Sequence, residues 1–147
     1  MVYLDSAATT LQKPASVAEA VSEAMLTCAS PGRGGYPAAE KAARTVFLCR
    51  ERAAELLGAG DMENIVFTMN ATHALNIAIK SLVPPGGKAV VSGFEHNAVM
   101  RPLTAVGGVD IKVVRSRPFD REACLRGFES AVTRGADAVI CNHVSNV

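Results

Sequence analysis

Residues 65–79 read Ile-Val-Phe-Thr-Met-Asn-Ala-Thr-His-Ala-Leu-Asn-Ile-Ala-Ile, which predicts a strand, a polar turn and a helix in succession. The first three side chains are β-branched or aromatic, as in a buried strand. Leu75 and Ile79 then lie on one face of a helix, and Asn70 and Thr72 stand where an N-cap residue stands. Such a turn exposes free backbone N–H groups at the positive end of the helix dipole. We therefore predict a phosphate site at this turn.

Composition indicates one globular domain and excludes several kinds of function. The 147 residues are 49% hydrophobic and 20% charged, with a net charge of +1, so they offer no electrostatic footprint for nucleic acid or a membrane surface. Apolar runs are too short to span a bilayer. The cysteines form no C-x-x-C pair and no zinc-like spacing with histidine, so we predict no metal and a reduced, cytoplasmic setting; they are Cys28, Cys49, Cys124 and Cys141.

Helical spacing and capping residues predict the helices. Pro14 opens a first helix, and residues 38–57 form a long second helix that Gly58 ends. The helix after the loop at residues 93–97 is expected to start near Arg101 and Pro102, because an interior proline breaks a helix. Asp120 caps the last helix.

Short apolar runs predict the strands, at residues 2–4, 65–67, 88–92, 111–115 and 138–141. From residue 65 onward the chain therefore reads β-α-β-α-β-α-β. This alternation predicts an α/β fold, three layers deep in α/β/α order, with a largely parallel sheet.

Polar clusters follow three of these strands, at residues 70–72, 95–97 and 145–146. In a parallel sheet, ligands bind beyond the carboxyl ends of the strands. The chain has no G-x-G-x-x-G after a strand, no G-x-x-x-x-G-K-[ST] and no G-x-S-x-G, which excludes the dinucleotide, nucleotide and hydrolase motifs. The clusters instead predict a site that combines a phosphate turn, a histidine and an asparagine.

Four motifs resemble the class V aminotransferase family in its cysteine desulfurase branch. They are Tyr-Leu-Asp-Ser-Ala-Ala-Thr-Thr at 3–10, Phe-Thr-Met-Asn-Ala-Thr-His-Ala-Leu-Asn at 67–76, Glu-His-Asn-Ala-Val at 95–99 and His-Val-Ser-Asn-Val at 143–147. Ser-Pro-Gly-Arg-Gly at 30–34 also fits a desulfurase-like subgroup. One departure is His73, where the family usually has glutamate, and we interpret it as a tolerated change.

The resemblance implies pyridoxal phosphate as cofactor, on the large domain of the type I aminotransferase fold. It implies that Asn70, Ala71 and Thr72 hold the cofactor phosphate. His96 would lie on the pyridine ring as the catalytic proton-transfer residue, and Asn146 would contact the cofactor's phenolic oxygen or the substrate carboxylate. Ala7 and Ala8 would line the substrate pocket.

The family's Schiff-base lysine, its pyridine-pairing aspartate and its reactive cysteine match nothing in this sequence. We therefore expect residues 1–147 to be the N-terminal portion of the cofactor domain and to be inactive alone. The parent is expected to convert cysteine to alanine and an enzyme persulfide, as a homodimer that passes sulfur to an acceptor protein. The alternatives are a selenocysteine lyase, another class V aminotransferase, or an inactive remnant that acts by protein association.

Overall fold

The computed structural model describes residues 2–6 and 9–143, and backbone contacts divide the chain into one unit that ends at Phe67 and one that begins at Thr68. The elements within the described ranges, in chain order, are α1 (Ala15–Thr27), α2 (Pro37–Leu57), a 3-10 turn (Met62–Asn64), α3 (Ala71–Leu82), β1 (Lys88–Ser92), α4 (Asn97–Val106), β2 (Asp110–Val114), α5 (Arg121–Val132) and β3 (Ala138–Ile140). In these ranges no helix is both long and apolar enough to cross a bilayer.

The first unit is built around α2, whose predicted extent is confirmed. Ala39, Ala42 and Ala54 are its buried positions, and their small side chains allow close packing. The helix ends at Gly58, which has φ +62° in the left-handed region. A glycine adopts that conformation without a steric penalty, which is why the sequence located this boundary correctly.

The second unit contains a three-stranded parallel sheet in the order β2-β1-β3. Lys88 pairs with Asp110, and Ala89 pairs with Ala138. Helix α4 connects β1 to β2, and α5 connects β2 to β3. The predicted α/β fold with a parallel sheet is therefore confirmed.

Alternate residues of β1 face opposite helical layers. Ala89 and Val91 pack in one buried cluster with Ile79 and Leu103, from α3 and α4. Val90 packs in a second cluster with Val114 and with Ala131 of α5. A central parallel strand is buried on both faces, so the sheet separates α3 and α4 from α5 and produces the predicted three layers.

Two predicted strands are not formed, and those predictions were wrong. Residues 2–4 and 65–67 belong to no strand among the described residues. The carbonyl oxygen of Ile65 instead accepts a hydrogen bond from Nε of Arg50 at 2.9 Å, while Val66 and Phe67 are 77% and 52% exposed. A strand needs a neighbour for its backbone groups, and a β-branched sequence cannot supply one.

The predicted start of α4 was also wrong, because the helix begins at Asn97 and contains Pro102 in its interior. An interior proline loses its own hydrogen bond to the carbonyl four residues earlier, and its ring crowds that carbonyl. Pro102 and Leu103 are both buried in α4, and burial of apolar surface offsets that loss. The N–H groups of Val99 and Met100 both bond to the His96 carbonyl, which starts the helix five residues before the proline.

Candidate functional site

The turn before α3 has the capped geometry that the sequence predicted. Oδ1 of Asn70 accepts a hydrogen bond from the His73 N–H at 2.9 Å, and the Asn70 carbonyl accepts one from the Ala74 N–H at 3.1 Å. The N–H groups of Ala71 and Thr72 have no hydrogen-bond partner within the described part of the chain. Two free donors at the positive end of a helix dipole make this turn suited to an anion.

His96 begins α4 just beyond the carboxyl end of β1. Its Nδ1 accepts a hydrogen bond from the Ala98 N–H at 3.0 Å, so the imidazole is the N-cap of the helix. This bond assigns the neutral tautomer, because an acceptor Nδ1 leaves the proton on Nε2. His96 is exposed, and Nε2–H has no partner among the described residues, so it is free to donate to a ligand.

Thr72 and His96 line one cavity of about 460 Å³, which brings two of the three predicted clusters together. Its volume falls in the range of about 300–1,000 Å³ that is typical of small-molecule sites. Arg101 also lines the cavity, and it forms no ion pair with a described residue. Sequence reasoning missed Arg101 because the predicted helix began there rather than at Asn97, which hid its place about one turn after Asn97.

Glu95 belongs to a predicted polar cluster, but the sequence analysis assigned it no role of its own. Its Oε1 accepts hydrogen bonds from the Ser92 hydroxyl at 2.5 Å and from the Asn142 N–H at 2.7 Å. The Ser92 hydroxyl in turn accepts the Phe94 N–H at 3.3 Å. The position of Glu95 beside His96 was the available signal, but its partner 47 residues later could not be read from the sequence.

The structure gives less information about the remaining residues that the sequence analysis named. Ala7, Ala8 and Asn146 lie outside the described residues, so their predicted roles stay predictions. His73 is half-buried, and its Nδ1 is buried without a hydrogen-bond partner among the described residues. Cys141 is exposed beyond β3. Partial burial, the Glu95 carboxylate and Cys124 together raise the pKa of its thiol.

A separate cavity of about 350 Å³ lies on the α5 side of the sheet, between α5 and strands β1 and β2. Lys88, Lys112 and Arg134 contribute positive charge to it, and Val90 and Ala131 contribute apolar surface. It includes none of the predicted site residues. We therefore assign the candidate site to the cavity that Thr72 and His96 share.

Comparison with known proteins decides the family. The family model described as aminotransferase class V matches residues 2–147. The chain belongs to the class V aminotransferase family. Members of this family use pyridoxal phosphate.

The curated relatives carry desulfurase names. The chain is 32% identical to a probable cysteine desulfurase of Aeropyrum pernix, over 100% of this chain and 37% of that protein. It is 34% identical to one from Methanothermobacter thermautotrophicus, over 99% of this chain and 36% of the relative. It is 35% identical to cysteine desulfurase CsdA of Escherichia coli, over 71% of this chain and 27% of the relative. The chain thus spans little more than a third of these relatives at most.

The described residues fit part of a pyridoxal phosphate site. The phosphate requires donors, and Ala71 and Thr72 supply two free N–H groups and a hydroxyl. The ring requires a flat neighbour and a cavity, and His96 supplies an imidazole at the wall of the cavity that Thr72 also lines. Because the chemistry of the donors matches both ends of the cofactor, we treat the site as compatible with it.

Proposed function

We propose that this chain provides the phosphate and ring contacts of a pyridoxal-phosphate-dependent cysteine desulfurase. The proposed reaction converts cysteine to alanine and leaves its sulfur as a persulfide on an enzyme cysteine. The observation that carries the proposal is the cavity that His96 shares with Thr72, a residue of the first turn of α3 whose N–H has no partner among the described residues. The names of the curated relatives support the choice of substrate.

In the proposed site the turn before α3 anchors the phosphate. The backbone N–H groups of Ala71 and Thr72 donate to it, and the Thr72 hydroxyl adds a third donor. Asn70 has already used Oδ1 on the His73 N–H, so its side-chain NH₂ is the group left to donate. These fixed donors bind a negatively charged group without reorganisation, because the helix already holds them in place.

His96 is the proposed proton-transfer residue. When bound, the cofactor supplies an electron sink for the substrate carbon beside it. The imidazole would pack against the ring with Nε2–H free to donate a hydrogen bond, since Nδ1 accepts the Ala98 N–H. A neutral imidazole can release the Nε2 proton only if Nδ1 takes up another, and Nδ1 cannot take up a proton while it accepts the Ala98 N–H. Proton transfer by His96 would therefore require the hydrogen bond from Ala98 to break.

Further parts of the machinery belong to the proposal through the family alone. We propose that the Schiff-base lysine and the reactive cysteine lie in sequence beyond these 147 residues, and that this chain alone is inactive. Asn146 would contact the cofactor or the substrate carboxylate, and Ala7 and Ala8 would line the substrate entrance. A homodimer, a sulfur-acceptor protein and a cytoplasmic location complete the proposal.

The test measures cofactor affinity and products in the complete protein that contains this chain. Thr72→Val removes the hydroxyl but keeps the side-chain shape, and we expect it to weaken pyridoxal phosphate binding by about tenfold, the loss of one charge-assisted hydrogen bond. Thr104→Val is the matched control, because Thr104 bonds only its own helix, at the Met100 carbonyl. Equal affinity in Thr72→Val and wild type would contradict the phosphate assignment.

The products separate the proposed reaction from its alternatives. A desulfurase releases alanine from cysteine and, with a reductant, sulfide in equal amount. Alanine and selenide from selenocysteine, without sulfide from cysteine, would identify a lyase instead. Transfer of the amino group to a keto acid would identify an ordinary aminotransferase. Sulfide release by residues 1–147 alone would contradict the proposed location of the lysine.

A further inference from the structure

Glu95 lies at the point of the sheet where the chain reverses the direction in which it adds strands. The chain passes from β1 to its neighbour β2 and then crosses back over β1 to β3. Ligands of parallel sheets bind beyond the strand ends at such a point. Glu95 follows β1, Asn142 follows β3, and the carboxylate Oε1 accepts the Asn142 N–H at 2.7 Å across this gap.

The carboxylate is itself held in place. The Ser92 hydroxyl donates to the same Oε1 at 2.5 Å, and Ser92 is only 5% exposed at the end of β1. The N–H of Phe94 donates to the Ser92 hydroxyl, so both functions of that hydroxyl are satisfied. A buried, fully satisfied hydroxyl restricts the rotamer of its partner, since any other position would leave a buried polar group unpaired.

We propose that Glu95 is a positioning residue that ties the segment after β3 to the end of β1. The tie fixes the backbone at Asn142, four residues before Asn146, relative to His96, which directly follows Glu95. Its consequence for the cofactor rests on the proposed function, in which His96 and Asn146 both contact that group. The tie itself does not depend on the cofactor, because both of its hydrogen bonds are made by this chain's own atoms.

The first measurement is amide hydrogen exchange at Asn142, followed by NMR in the chain described here. Glu95→Ala removes the acceptor, and we expect exchange at Asn142 to speed up by about tenfold or more, as for loss of a hydrogen bond to a charged group. Glu95→Gln keeps an acceptor oxygen and should restore most of the protection. Glu122→Ala is the matched control, since Glu122 lies on α5 with its side chain 85% exposed.

The amide of Val91 in the buried sheet serves as an internal reference for folding. If Glu95→Ala does not fold, Glu95→Gln and Ser92→Ala still test the tie. Each of them weakens the hydrogen bonding between residue 95 and Asn142 but leaves an acceptor oxygen on residue 95. We expect Ser92→Ala to raise Asn142 exchange by a smaller factor than Glu95→Ala. Unchanged Asn142 exchange in every folded variant would overturn the proposal.

The second measurement is the dissociation constant of pyridoxal phosphate in the complete protein, with the circular dichroism of the bound cofactor. Glu95→Ala should weaken binding and alter the dichroism, and Glu95→Gln should recover both in part. Faster Asn142 exchange with unchanged affinity and dichroism would overturn the positioning role. Failure of the wild type to bind the cofactor would instead overturn the proposed function, while Asn142 exchange would still decide whether the tie exists.

Discussion

Nδ1 of His96 accepts the Ala98 N–H at 3.0 Å, so one imidazole both caps α4 and borders the cavity that Thr72 lines. These two duties use different atoms of the ring. The cap uses Nδ1, which leaves the ring face and Nε2 without a partner among the described residues. Substitutions can therefore separate the contribution of His96 to stability from its contribution to the ligand.

His96→Asn should keep the cap and lose the ring. An asparagine oxygen accepts from the same first-turn N–H groups, so we expect a free energy of unfolding close to wild type, whereas His96→Ala should lose about 1 kcal/mol. Both variants should bind pyridoxal phosphate more weakly in the complete protein. Chemical denaturation and cofactor titration measure the two effects. Wild-type cofactor affinity in His96→Asn would contradict the proposed ring contact.

Substitutions of Asn70 can likewise separate its contribution to stability from its contribution to ligand binding at the proposed phosphate turn. Asn70→Ala should destabilise the chain by about 1 kcal/mol, because the His73 N–H loses its cap. Asn70→Asp keeps the cap but adds a negative charge beside the proposed phosphate. We expect it to fold like wild type and to bind pyridoxal phosphate worse than Asn70→Ala does. If Asn70→Asp binds the cofactor as tightly as wild type, no anion occupies this turn.

We expect substitution of Gly127 to destabilise the protein, although Gly127 lies inside helix α5. A Cβ there would lie 2.5 Å from Cγ1 of Val114, a buried and β-branched side chain with little freedom to move. Gly127→Ala should therefore destabilise by about 1–3 kcal/mol, although alanine is the better helix former by about 1 kcal/mol.

The control for this prediction is Glu129→Ala, an exposed change on the same helix. Adding Val114→Ala to Gly127→Ala should make the two changes less costly together than the sum of their separate effects, because the clash disappears. Strict additivity in thermal or chemical unfolding would show that α5 and β2 do not pack this closely.

We expect the thiol of Cys141 to react slowly with alkylating reagents at neutral pH. Partial burial raises the pKa of its thiol above the ordinary 9.0, and the negative charge of Glu95 raises it further. Because the thiolate is the reactive form, alkylation of Cys141 should keep accelerating above pH 9.0. Glu95→Gln removes that charge, which lowers the pKa and should speed alkylation at a given pH. Mass spectrometry after timed alkylation measures the rate, with Glu122→Gln as control.

Much of the second unit follows from local sequence. Asn70 and Asp120 were predicted as caps, and the side chain of each accepts an N–H three residues later. Strand β1 was predicted at the residues it occupies, because a run of apolar side chains between turns has few alternatives. The donors of the proposed phosphate turn were also predictable from local sequence, since Ala71 and Thr72 are consecutive residues.

The wrong predictions concern residues whose contacts are made with residues distant in sequence. Residues 65–67 have strand-like side chains, but the Ile65 carbonyl bonds to Arg50 rather than to a neighbouring strand. Pro102 sits inside α4 because burial against the sheet and a cap at His96 stabilise that helix. Neither outcome can be read from residue type, since propensity is a weak prior that tertiary contacts override.

The sequence by itself determined the α/β alternation from β1 onward, the caps at Asn70 and Asp120, and the family, because each depends on a short run of residues with a fixed spacing. Only the tertiary structure decided which side chains meet. It brought Thr72 to the same cavity as His96 and joined Glu95 to Asn142 across two strand ends. The reason is physical: strand pairing and helix packing set these distances, and both are made between residues far apart in the chain.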